Sequence, residues 1–182
     1  MNNTIIKNTF LSIFISFVFV FATQAQVGGW NPELETDAAN ALSKMIEKTP
    51  KLTSFKEKAY GYAVFPKVTK AGLGIGGAAG SGIVYKNKAV VGSSKLKQAS
   101  IGLQAGGQQY SEVIFFENKT SFENFTKGKL KFDAQASAVA ITEGASVDVA
   151  YQNGVAVFTQ TLGGLMYEAS LGGQHFSFKP KK

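Results

Sequence analysis

The chain has 182 residues, 19 of them basic and 12 acidic, for a formal net charge of +7, with one histidine and no cysteine. This composition excludes a disulfide framework, a lipid-modified cysteine anchor and a zinc site of Cys and His ligands. Every basic residue is a lysine, a mobile point charge that suits a negatively charged surface better than one ligand read bidentately.

The first 25 residues have the pattern of a signal peptide. Lys7 supplies the positive start, and Phe10 to Phe21 form an apolar run of about a dozen residues, short for a membrane span. Thr23 and Ala25 stand where a signal peptidase reads small side chains. Cleavage is expected after Ala25, leaving residues 26–182 as a single exported domain, periplasmic or secreted.

Residues 31–50 predict a helix. Asn31 is a suitable N-cap, Pro32 suits the first helical position, and Glu33, Glu35 and Asp37 favour the positive end of the helix dipole. Leu34, Ala38, Ala41, Leu42 and Met45 recur at spacings of three and four, which makes one apolar stripe. Pro50 ends the segment, and "LTSFKEKA" predicts a short second helix.

From Tyr60 the pattern changes to short apolar and aromatic segments separated by glycines. "YGYAVF", "GIVYK", "KAVVGS", "ASIGLQAG", "SEVIFF", "ASVDVAY", "GVAVFTQ", "LMYEASL" and "HFSF" all read as strands. "YKNKAV" and "YQNGVAV" carry turn residues, the second with the sharper Asn-Gly signal. Phe122 and Phe125 share a helical face within residues 119–128, so a short helix interrupts the strands. The expected fold class is α+β: an N-terminal helix or helices, then a mostly antiparallel, barrel-like sheet with one inserted short helix.

Gly72, Gly74 and Gly77 match the spacing of a dinucleotide-binding loop. Such a loop opens a helix, whereas Gly77 is followed by further glycines and β-branched residues. The acid expected about twenty residues on to hold a ribose is missing, and no Gly-Lys-Ser/Thr ends the run as in a phosphate-binding loop. The expected role of glycines such as Gly74 and Gly76 is close backbone packing or a tight bend.

Between Glu57 and Glu112 there is no acid, while Lys58, Lys67, Lys70, Lys86, Lys88, Lys95 and Lys97 lie in that interval. A segment charged in one sense projects a field toward anions. Catalysis finds little support: His175 stands alone, the acids are scattered, and no serine lies in a nucleophile elbow. No enzyme activity, cofactor or metal site is expected.

"GYAVFPKVTKAGLGIGGAAGSGIV", "ASIGLQAGGQ", "VIFFENKTSFENFTKGKLKFDAQASA" and "LMYEASLGG" follow one another in the order of the blocks of the SYLF domain family, which this chain resembles over nearly all of residues 35–178. The family's frequent Trp-Ser segment before "ASIGLQ" is absent, and "NKAVVGSSKLKQ" stands there. The resemblance implies binding of phosphoinositides or other anionic phospholipids, with actin binding in some eukaryotic members, and it singles out Lys70 as the basic residue matching the motif. The charge pattern adds Lys67, Lys86, Lys88, Lys95 and Lys97. The expected function is non-enzymatic binding of anionic phospholipid or a membrane surface through a lysine-rich face. Nucleic acid is not an expected partner, because export and the lack of arginine count against it. Two alternatives remain at this stage: a small outer-membrane β-barrel, and a structural or protein-binding module.

Overall fold

A computed structural model describes residues 31–132, 138–141, 150–163 and 172–182, and at 73–75 and 100–106 the backbone alone. Helix α1, Pro32–Lys48, begins as its sequence predicts. Asn31 accepts hydrogen bonds from the backbone N–H groups of Glu33 at 3.0 Å and Leu34 at 3.4 Å. Ala38, Leu42 and Met45 are its buried stripe. Helix α2, Leu52–Lys58, follows. Its Phe55 ring packs on Phe115, Tyr151 and Phe158.

The segments predicted as separate short strands merge. Strand β1 runs unbroken over Gly61–Lys86 and β2 over Ala89–Phe116. They pair antiparallel along their whole length, from Gly61 opposite Phe116 to Lys86 opposite Ala89. The hairpin turn is Asn87-Lys88, both at positive φ (49° and 67°), the backbone of the tight turn that matches strand twist. The Asn153-Gly154 turn is formed in the same way, with φ of 52° and 76° and a bridge between Gln152 and Val155.

Glycines sit inside the long strands, where the ladder continues through them. Gly61, Gly80 and Gly82 mark places where β1 meets itself. A β-carbon at Gly82 would lie 2.5 Å from the Val64 carbonyl oxygen and 2.6 Å from the Phe65 ring. One at Gly80 would lie 2.9 Å from Val68 Cγ2, and one at Gly61 would lie 2.7 Å from the Tyr85 carbonyl oxygen. The two ends of β1 therefore touch, and the ribbon turns back between Val68 and Gly80. The β1–β2 register slips there, between Leu73 and Ile75, beside the glycine pair Gly72–Gly106. The predicted glycine bend is thus a crease in a folded two-stranded ribbon, and no helix follows Gly77, which lies in mid-strand.

Helix α3, Lys119–Thr126, starts at Asn118, whose Oδ1 accepts from Ser121 N–H at 3.0 Å, and it buries Phe122 and Phe125 as the sequence predicts. Among the described residues, β3 (Val139–Ala140), β4 (Val155–Gly163) and β5 (Gln174–Pro180) complete a five-stranded sheet in the order β1-β2-β4-β3, with β5 on β2. β4 pairs with β2 along Gln109–Phe116, and β5 pairs with it along Gly92–Gln98. All pairs are antiparallel except β3–β4. The fold is α+β, with a curled sheet whose strand path, among the described residues, is open rather than closed into a barrel. The predicted strand at 165–171, and most of the one at 145–151, lie outside the described residues.

The core lies inside the fold of the ribbon. Ala63, Phe65 and Val68 from β1 meet Ile114 and Phe116 from β2, Phe122 and Phe125 from α3, and Phe176 from β5. The Phe116 and Phe125 ring centroids are 4.8 Å apart, and those of Phe125 and Phe176 are 5.1 Å apart. The opposite sheet face is covered as well, since Tyr62 stacks on Tyr85 at 4.6 Å, Phe115 packs on Phe158, and Phe55 of α2 covers both phenylalanines.

Candidate functional site

Strand alternation aims Lys95 and Lys97 outward while Ser94, Leu96 and Gln98 between and beside them face in. β5 has the same alternation. Its pairing with β2 sets Ser177 opposite Lys95, His175 opposite Lys97, and Lys179 opposite Ser93. On the other side of β2, β1 sets Ser81 opposite Lys95 and Ala79 opposite Lys97. All seven of these outward side chains, apart from the half-buried Ser93 beside them, are exposed, and none is an acid. Three ammonium groups thus stand on adjacent strands of one patch, where cross-strand neighbours lie about 5 Å apart at Cβ.

The other four lysines singled out in the sequence lie elsewhere. Lys67 is exposed at the lip of a cleft of about 270 Å³, which α1 lines with Asp37, Asn40, Ala41 and Lys44 and the sheet lines with Pro66, Ser111, Gln160 and Leu162. Ser111 Oγ donates to the Pro66 carbonyl at 2.8 Å and holds the β1 irregularity that turns Lys67 outward. Lys70 faces in. It is only 8% exposed, and burial holds its ammonium below the ordinary lysine value. Lys86 and Lys88 sit at the hairpin tip. Lys86 pairs with Ala89, which stands a strand length of roughly 20 Å from Lys95. The Lys86 ammonium lies 5.3 Å from the Tyr60 ring centroid, a cation–π contact. Lys88 is ion-paired with Glu57, and that hydrogen bond and charge hold the Glu57 carboxyl below its ordinary value.

The lysines singled out in the acid-free interval are therefore divided by the fold: two join a patch, one lines a cleft, one is buried and two share the tip. Sequence reasoning missed Lys179 and Lys44, which the fold adds to the patch and to the cleft. Lys179 was legible in part, because the alternation His175-Phe176-Ser177-Phe178-Lys179 places three polar residues on one face. Which strand that face would lie beside was not. Among the described residues, no three side chains of His, Asp and Glu come together as metal ligands.

Residues 97–181 match the family described as Ysc84, Las17-binding protein actin regulator. The match starts at Lys97 in β2 and runs through α3, β4 and β5, the strands that carry one side of the patch. Over residues 97–181 the chain belongs to the Ysc84, or SYLF, family. It is also 30% identical over 145 residues to Beta cell expansion factor A of Aeromonas veronii. The aligned stretch is 79% of this chain and 55% of that relative, so the chain spans about half the length of the curated relative it matches. The SYLF family is linked to lipid and actin binding. In this SYLF chain the family match takes in Lys97, His175 and Lys179 but none of β1.

Proposed function

We propose that this SYLF domain binds anionic phospholipid headgroups at a membrane surface, without catalysis, through the patch of Lys95, Lys97 and Lys179. The observation that carries the reading is the juxtaposition of three outward lysines on β2 and β5 with no acid among their exposed cross-strand neighbours. Each lysine near an anionic surface contributes about 1 kcal/mol of attraction. Lys67 and Lys44 at the cleft mouth add positive charge at a second place, partly offset by Asp37. The chain acts in this reading as an exported protein, cleaved after Ala25, and N-terminal sequencing of the exported form is expected to begin at Gln26.

Vesicle co-sedimentation tests the reading. Vesicles of phosphatidylcholine mixed with phosphatidylglycerol are expected to retain the protein, and vesicles of phosphatidylcholine alone are not. Retention falls as salt rises, because the Debye length shrinks from about 8 Å at physiological ionic strength. Combined Lys95→Gln, Lys97→Gln and Lys179→Gln lowers partitioning by about a hundredfold, the equivalent of ~3 kcal/mol. Lys127→Gln with Lys119→Gln, whose lysines flank Glu123 on α3, changes it little. Equal losses from both sets would overturn the patch and leave net charge alone.

A membrane-spanning barrel has the opposite sidedness, apolar outside and polar within. Here the outward positions of β2 and β5 carry lysines and histidine, while phenylalanines fill the inside. A protein-binding reading takes its support from the family's description as an actin regulator. Filament co-sedimentation that survives the lysine changes and needs no lipid would favour it.

A further inference from the structure

Several buried polar side chains of the interior gather along one seam. Tyr110 and Glu112 face in from β2, Thr159 lies opposite Glu112 on β4, and Gln174, the first residue of β5, meets them from the other side. Glu112 has no exposed surface. Its Oε2 accepts one hydrogen bond, from Gln174 Nε2 at 3.1 Å. Its Oε1 has no donor among the described residues, and neither Thr159 Oγ1 nor Gln174 Oε1 has a partner there. The seam therefore holds more acceptors than donors, which suits a carboxyl that brings its own proton.

Among the described residues no cation offsets the carboxylate. From β1 the inward side chains are Phe65 and Val68, with Lys70 beyond them. Burial acts on the Glu112 carboxyl first and the Gln174 hydrogen bond second, and Lys70 contributes no attraction. β4 presents Val157 and Thr159, and β5 presents Gln174 and Phe176. Tyr110 is the other titratable group in the seam, and burial together with the Glu112 charge keeps it neutral, well above its ordinary value. Burial raises the Glu112 carboxyl from 4.5 to about 7, so its proton is exchanged near neutrality.

We propose that Glu112 is a proton-operated latch on β5: protonated, it keeps Gln174 and the start of β5 seated on β2, and ionised, it releases that end to water. A buried carboxylate with one hydrogen bond is costly, and the group relieves the cost by reaching water. β5 is the neighbour that yields most readily. It has seven residues, among the described residues it pairs with β2 alone, and Gln174 is its terminal residue, so opening unzips from that end and gives up the 2.8 Å hydrogen bond from Gln98 Nε2 to the Gly172 carbonyl. Phe176, packed between Phe65 and Phe125, anchors the strand beyond the opening. β1 and β4 hold Glu112 from mid-ladder and do not end beside it. The latch stands on the interior geometry alone, whether or not the outer patch binds lipid.

Amide hydrogen exchange across pH 5 to 8, corrected for intrinsic base catalysis, tests it on the full chain. An opening that returns Glu112 to its ordinary value becomes about seventyfold more favourable over that range and then levels off. Exchange of the β5 amides near Gln174 is expected to rise by that factor, while amides at Val113–Phe116 stay protected. Glu112→Gln is expected to abolish the dependence and keep β5 protected at pH 8. Protection that ignores pH, a rise that persists in Glu112→Gln, or equal loss of protection in every strand would each overturn the latch. Should Glu112→Gln fail to fold, carboxyl carbon shifts of the unaltered protein decide: a midpoint near 7 shared by the Gln174 side-chain amide supports the latch, and one near 4.5 ends it.

Discussion

β2 has two inward stretches with opposite character. Ile114 and Phe116 enter a cluster of aromatic rings from β1, α3 and β5. Glu112 and Tyr110, two and four residues before Ile114, enter a seam of amides and hydroxyls. Both stretches are buried and belong to one ladder. The apolar end is held by area removed from water and by ring packing, which hardly respond to pH. The polar seam is held by a proton and one hydrogen bond, and so responds to it. Burial depth alone does not tell which part of a strand is firm; the pairing of polar atoms does.

The firmest test of the apolar end is Phe125→Ala. The ring has no exposed surface and touches Phe116 and Phe176, so denaturant unfolding should show a loss of about 4 kcal/mol at any pH. The ribbon's self-contact should be nearly as sensitive. Gly82→Ala sets a methyl against the Val64 carbonyl and the Phe65 ring, and a loss of about 3 kcal/mol is expected, because backbone cannot yield as a side-chain tip can.

The polar seam should behave differently with pH. The folded value of Glu112 is about 7 against 4.5 for the free group. The unfolded chain therefore loses this proton first, and stability falls as pH rises from 4.5 to 7. The seam's contribution is complete below about 4.5 and is lost above about 7, with a total loss of about 3 kcal/mol. In Glu112→Gln that slope should vanish, so the variant is the more stable of the two at pH 8. A wild-type stability curve flat over this range would erase the contrast between the two stretches.

At the periphery the effects shrink. Asn31→Ala removes the side-chain cap of α1 and should cost about 1 kcal/mol. Lys88→Gln breaks an exposed ion pair with Glu57. It is expected to leave the melting temperature unchanged within error, since surface pairs are screened and mobile.

The cap at Asn31, the stripe Ala38-Leu42-Met45, the Asn-Gly turn and the paired phenylalanines of α3 were all legible in the sequence. Each depends on contacts within one or two turns of chain. The strands were legible as strand-forming segments but were cut at the glycines, because a glycine reads locally as a break. In the fold the ladder crosses those glycines, and at Gly80 and Gly82 the absent side chain admits the other end of the same strand.

Composition and local periodicity by themselves determined the α+β order, the helix starts, the turns, and which residues of each strand share a face. They also determined that a long interval would carry lysines and no acid. Where those lysines would stand was decided by tertiary structure. Alternation sets Val68 and Lys70 on one face of β1, yet it does not say whether that face looks into the core, and the irregularity after Phe65 put both inside. Glu57 reached Lys88 and Lys179 came beside Lys95 only because the ribbon folded and β5 took the free edge of β2. Those meetings join residues tens of positions apart, and they are selected by burial of the whole aromatic core rather than by any property of the neighbouring sequence.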